Sequence, residues 1–155
     1  MSNSAAPANP AVDTLLAPYG AFGLRAALGV MFIAHAWLKV AVFTVPGFAA
    51  FLGQVGLPTV LAWPIIAAEV VGGIAILVGF YSRWVAVALL PVLLGAVMVH
   101  APNGWLFTAA NGGWEYPAFL AVAAVAQILI GDGAFALRPA PLPGLSRDRT
   151  RAQAI

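Results

Sequence analysis

Seven ionisable residues interrupt or border apolar stretches of this chain: Arg25, His35, Lys39, Glu69, Arg83, His100 and Glu115. Imidazole and carboxylate groups take up and release protons near neutral pH, and lysine supplies a cationic donor. Placing such a group in a hydrocarbon core costs at least ~2.5 kcal/mol on insertion scales, so each needs a partner or a purpose. Arg25, His35 and Lys39 share one apolar run. At about 100° per residue, His35 falls about 80° from Arg25, and Lys39 about 40° back toward it. One helix face therefore carries all three, and it should point away from lipid.

The surrounding composition says what positions them. Of 155 residues, 63% are hydrophobic and 8% charged, against roughly a quarter charged in soluble domains. A water-soluble fold of this size has too little polar cover for such a chain, whereas a bilayer removes the requirement. The sequence thus predicts an all-α integral membrane protein with the lipid bilayer as its first partner. A net charge of +2 argues against a nucleic-acid partner, and with no cysteine there is no thiolate nucleophile, disulfide exchange or Cys-ligated cluster. No metal site is expected.

A crossing needs about 20 mostly apolar residues. Four candidates follow, over residues 21–43, 61–81, 84–99 and 117–130, the last being short. They predict a four-helix bundle over residues 20–137, preceded by a loose tail (1–19) and followed by a basic disordered tail (138–155). The tail 1–19 lacks the basic and apolar regions of a signal peptide. Ser82-Arg83 reads as a tight reversal, while segments 44–60 and 101–115 are longer. Within the first of these, FAAFLGQVGLP could form a short interfacial helix with Phe48, Phe51 and Leu52 on one side. Arg83, Arg138, Arg147, Arg149 and Arg151 fall on the side of the termini, and Arg25 near its edge. The positive-inside rule then places both termini in the cytoplasm, for a multi-pass protein of the bacterial inner membrane.

Counting rise along the helices puts His35 and Glu69 at a similar depth, roughly 12 Å below the outer surface. Lys39, His35, Glu69, His100 and Glu115 all belong to the outer half, so one polar pocket beneath the outer loops is expected. A structural ion pair from Glu69 to Lys39 or His35 explains the same residues equally well. Arg25 and Arg83 read as cytoplasmic-side anchors that snorkel to lipid phosphates. His100 could be simply interfacial, Trp105, Trp114 and Tyr116 form an aromatic belt, and Gly72-Gly73 permits close helix approach.

The run RAALGVMFIAHAWLKV, then GLP (56–58), AAEVVGGIAILVGFYSRW, a histidine on the third span, EYP (115–117) and GDG (131–133) resembles the DoxX family of small bacterial membrane proteins. The resemblance covers residues 20–137. One departure is Ala36, where the family usually has glycine after the first-span histidine. The resemblance implies a four-helix membrane bundle, an oxidoreductase label, and an association with quinol oxidase and thiosulfate:quinone oxidoreduction. Carried onto this chain, it implies roles for Arg25, His35, Lys39, Glu69, Arg83, His100 and Glu115. Three functions remain open. In a quinone-linked redox component, Glu69 and His35 would exchange protons, Lys39, His100 and Glu115 would bind the head group, and Phe32, Trp37 and Phe43 would line its approach. With no intrinsic cofactor, electrons would come from a partner oxidoreductase subunit or a directly bound substrate. The alternatives are a non-catalytic subunit that docks a partner enzyme and a small-molecule or proton carrier. Haem ligation by His35 and His100 is disfavoured by a depth difference of about 10 Å. Self-association into a homo-oligomer stays open.

Overall fold

The computed structural model describes residues 10–140. These residues form helices and connections with no strand, apart from one isolated parallel bridge between Phe80 and Arg138. Helix α1 spans Pro10–Trp37 and runs on through a π-turn, Leu38–Val42. Helix α2 is Val45–Gln54, α3 is Ala62–Val78, α4 is Ser82–His100 and α5 is Glu115–Ile130. Short 3-10 turns, Thr59–Leu61 and Ala101–Asn103, lead into α3 and out of α4.

Three helical segments are long and apolar enough to cross a bilayer: Thr14–Val42, Thr59–Val78 and Ser82–Asn103. The membrane expectation holds on that ground. The fourth expected segment is a shorter apolar helix of 16 residues, α5. The first helix begins at Pro10, well ahead of the expected start at 21, so part of the expected tail is helical. The C-terminal expectation for residues 141–155 lies outside the described residues. Residues 138–140, also assigned to that tail, are held against the fold by hydrogen bonds described below.

Helix α1 packs on α3, α3 on α4, α4 on α5, and α5 returns to α1. Small residues allow this closeness. A Cβ on Gly29 would lie 2.8 Å from the Leu77 Cβ, one on Gly73 2.9 Å from Ile33 Cγ1, and one on Gly72 2.7 Å from Leu89 Cδ1. Gly72 and Gly73 therefore serve α3's contacts with α4 and α1. On α5, Ala121, Ala123 and Ala124 complete a core with Leu28, Phe32, Ile76, Ala86, Leu89 and Leu93. A second cluster joins Ala36, Phe48, Leu52, Ala62 and Ile66, which seats α2 across the start of α3 and the end of α1. Phe48 and Leu52 face inward as a pair, whereas Phe51 is exposed.

The reversal between α3 and α4 lies earlier than Ser82-Arg83. Gly79 takes left-handed φ 74 and ψ 39, and its N–H and that of Phe80 bond back to Ile76 O and Ala75 O. This Schellman pattern ends α3. Tyr81, also left-handed at φ 48, launches α4. Ser82 and Arg83 thus occupy the first turn of a helix, where both are buried.

Candidate functional site

The π-turn sets the position of Lys39. Its wider bonding, with Phe43 N–H donating to Leu38 O at 3.0 Å, departs from the regular 100° step. The Lys39 Nζ donates to both carboxylate oxygens of Glu69, at 2.7 Å each. Glu69 is buried, and Nζ also stands 5.4 Å from the ring centroid of Phe48. Three elements, α1, α2 and α3, meet at this ion pair. Two charged hydrogen bonds and an aromatic face compensate the desolvation of both groups.

One turn earlier, His35 Nδ1 lies 2.7 Å from Met31 O. A carbonyl can only accept, so Nδ1 carries hydrogen, and Nε2 is the acceptor of the neutral ring. The imidazole stacks on Tyr116 of α5 with centroids 5.8 Å apart and planes 20° apart. Tyr116 in turn donates its hydroxyl to Met31 Sδ at 3.6 Å. The His35–Tyr116 stacking joins the first helix to the last.

His100 closes α4 beneath the loop that follows. Its Nδ1 is 3.1 Å from both Asn111 O and Gly112 O, carbonyls that also accept from Asn103 Nδ2. Asn111 and Gly112 both have positive φ, 67 and 76, which aims successive carbonyls at one side chain. By the same reasoning as for His35, Nε2 is the acceptor of the neutral His100 ring. Glu115 Oε1 accepts from the Phe107 N–H at 2.9 Å and ties the loop to the start of α5.

Two adjoining hollows open here, sharing Phe107 and Tyr116. One, of about 480 Å³, is lined chiefly by Trp105, Phe107, Glu115, Tyr116, Phe119 and Val122. The other, of about 470 Å³, is lined by His100, Phe107, Gly112, Gly113, Tyr116 and Pro117. The single expected pocket therefore divides. Lys39 and Glu69 engage each other, His100 and Glu115 border the hollows, and His35 reaches them through Tyr116. Neither hollow is lined by Phe32, Trp37 or Phe43; Phe32 is a core residue.

The opposite end of the helices holds a second polar cluster. Arg25 is fully buried, and its Nη2 donates to Ala134 O at 2.9 Å while the guanidinium lies 5.3 Å from the Phe22 centroid. Arg83 is 8% exposed. Both are expected as cytoplasmic-side anchors; here the segment after α5 turns back over them. Ala134 N–H donates to Pro18 O, Leu137 N–H to Val78 O, Arg138 N–H to Gly79 O, and Tyr81 N–H to Arg138 O. Beneath this strap the Ser82 hydroxyl donates to Asp132 Oδ1, Ala140 N–H donates to Asp132 Oδ2 at 2.6 Å, and Gln127 Nε2 donates to Gly131 O at 2.6 Å.

Tyr116, Ser82, Gln127 and Asp132 were not singled out as site residues from sequence. Gln127 carried a usable signal, being a lone amide inside an otherwise apolar helix. Asp132, inside a Gly-Asp-Gly stop, and Ser82, inside an apparent turn, carried none.

A family model described as DoxX matches residues 20–102. That range holds Arg25 through His100 and leaves out Glu115, Tyr116 and the strap. The chain is 33% identical over 79 residues to a Bacillus subtilis (strain 168) protein named "Putative oxidoreductase CatD", a match covering 51% of this chain. The matched stretch spans 58% of that relative's length. No solved structure matches the chain.

Proposed function

Because the chain belongs to the DoxX family, we propose that it is the membrane component of a quinone-linked redox system, with the quinone head group seated at the His100–Tyr116 end. The relative named as an oxidoreductase supports the redox class. The observation that carries the site is the pair of hollows where His100, Glu115 and Tyr116 meet the aromatic wall of Trp105, Phe107 and Phe119. A flat ring needs an apolar slot with a few convergent polar groups, and exposed Phe119 and Val122 leave the slot open toward the lipid side of α5.

Converting a quinone to a quinol takes two electrons and two protons. The electrons come from a partner oxidoreductase subunit, and this chain supplies the proton carriers. His100, its Nδ1 fixed on two backbone carbonyls, presents Nε2 as the group that gives or takes one proton. Glu115 is the second carrier, held in place by the Phe107 amide. Tyr116 buttresses the ring plane and couples it to His35.

In this reading α5 is a fourth crossing. Its 16 residues rise about 24 Å; Tyr116 near its start contacts Met31 of α1, and Ala134, four residues past its end, bonds to Pro18 of α1. In the same reading the arginines at the strap end, by the positive-inside rule, support a cytoplasmic side for both termini in a bacterial inner membrane. The test is purification in mild detergent with mass spectrometry of bound lipids and proteins. Quinone retained by the wild type and lost in His100→Ala and Tyr116→Leu supports the reading. A wild type that retains none, even after quinone is added, contradicts it.

The Lys39–Glu69 pair favours a second reading, a non-catalytic subunit whose buried ion pair locks helix packing. A stoichiometric partner protein on a quinone-free chain supports that alternative.

A further inference from the structure

Beneath the strap, the buried hydrogen-bonding groups do not balance. Arg25 Nε and Nη1, Arg83 Nε and Gln127 Oε1 are buried without a partner. Arg25 and Gln127 are completely inaccessible, and Arg83 nearly so. Among the described residues Asp132 is the one acidic side chain in this cluster, and its two oxygens are occupied by the Ser82 hydroxyl and the Ala140 amide. The Asp132 charge acts on Arg25, but Asp132 forms no salt bridge with either guanidinium. Buried charge that is only partly compensated is unfavourable, and unmet donors add to that.

We propose that this end of the helices is a receptor for a phosphate-class oxyanion, held by Arg25 and Arg83 beneath the strap. Guanidinium groups bind phosphate oxygens through charged, directional hydrogen bonds. The unpaired Gln127 Oε1 adds selectivity, because it favours a ligand that also carries a hydroxyl. Hydrogen phosphate and the head group of phosphatidylglycerol both satisfy this set of three donors and one acceptor. The site is distinct from the hollows near His100: Arg83 precedes His100 by 17 residues of α4, about 25 Å of helix rise. Entry requires the strap to lift, which breaks main-chain bonds from 134, 137 and 138, the Tyr81 amide to 138, the Arg25–Ala134 and Ala140–Asp132 bonds, and the ring contacts of Phe135 with Tyr19 and Phe22.

The full chain in phospholipid-free neutral detergent is titrated at constant ionic strength with sodium phosphate against chloride, and separately with short-chain phosphatidylglycerol against phosphatidylcholine. Amide hydrogen exchange is read across the protein. Ligand that binds only the closed form suppresses opening, so at about ten times its Kd the amides of 134–138 should exchange about tenfold more slowly. Protection by phosphate alone assigns a free anion, by phosphatidylglycerol alone a lipid head group, and by both a site that reads the phosphate itself. Arg83→Gln and Arg25→Gln should abolish the protection. If either variant fails to fold, localisation of the wild-type protection to the strap decides the matter. No saturable protection from either source, or protection spread evenly over the protein, overturns the proposal.

Discussion

The ammonium of Lys39 stands 2.7 Å from each oxygen of Glu69, joining α1 to α3 across a π-turn and beside the Phe48 ring. Removing one partner of such a buried pair strands the other charge. Glu69→Gln should lower stability by about 3 kcal/mol, read by thermal unfolding in detergent. Lys39→Met combined with Glu69→Leu should recover most of the loss, because apolar replacements leave no orphan charge. A double variant as unstable as the sum of the singles would show that the two residues act apart.

Gly79 offers a sharper steric test. Its φ of 74 disfavours any side chain, and an added Cβ would collide with Arg25 Nη1 and come within 2.6 Å of the Ala136 Cα. Gly79→Ala should destabilise by at least about 1 kcal/mol and loosen the strap toward proteolysis. Gly23→Ala is the control, since nothing lies within 4 Å of a Cβ there, and it should be neutral or slightly stabilising.

Asp132→Ala removes the acceptor shared by Ser82 and Ala140 and leaves the arginine charges still less compensated. Faster amide exchange over 134–140 is expected, together with a loss of stability of about 3 kcal/mol. Unchanged exchange in a folded variant would mean that the strap is held by its main-chain bonds alone.

The membrane character and the polar residues of the His100 end were legible in the sequence because apolar runs and intramembrane charges are local signals. Helix rise put His35 and Glu69 at similar depth, but depth says nothing about lateral direction. The π-turn and α2 give Glu69 to Lys39, while His35 turns to Tyr116, a residue 81 positions away. The surroundings of Arg25 are not legible in the sequence for the same reason. Its partner, Ala134, is 109 residues distant and belongs to a segment with no apolar periodicity. An arginine near a helix end looks identical in sequence whether it meets lipid phosphate or a returning strap.

The Tyr116 ring stacks on His35 and its hydroxyl reaches Met31, so Tyr116→Phe should be milder than Tyr116→Leu. Phenylalanine keeps the stacking and loses only the 3.6 Å contact to Met31 Sδ. Quinone affinity should fall less than threefold in the first and about tenfold in the second, a loss of about 1.4 kcal/mol.

The central claim is a quinone site beside His100 and Tyr116, and the adjoining indoles report on it directly. Trp105 and Trp114 lie edge to face, 4.5 Å between centroids, and Trp105 lines one hollow. Tryptophan fluorescence is followed while a short-chain quinone is titrated into the purified chain. The account predicts saturable quenching with one site per chain, weakened about tenfold in His100→Ala or Tyr116→Leu. Quenching that never saturates, or that is identical in wild type and both variants, would contradict it.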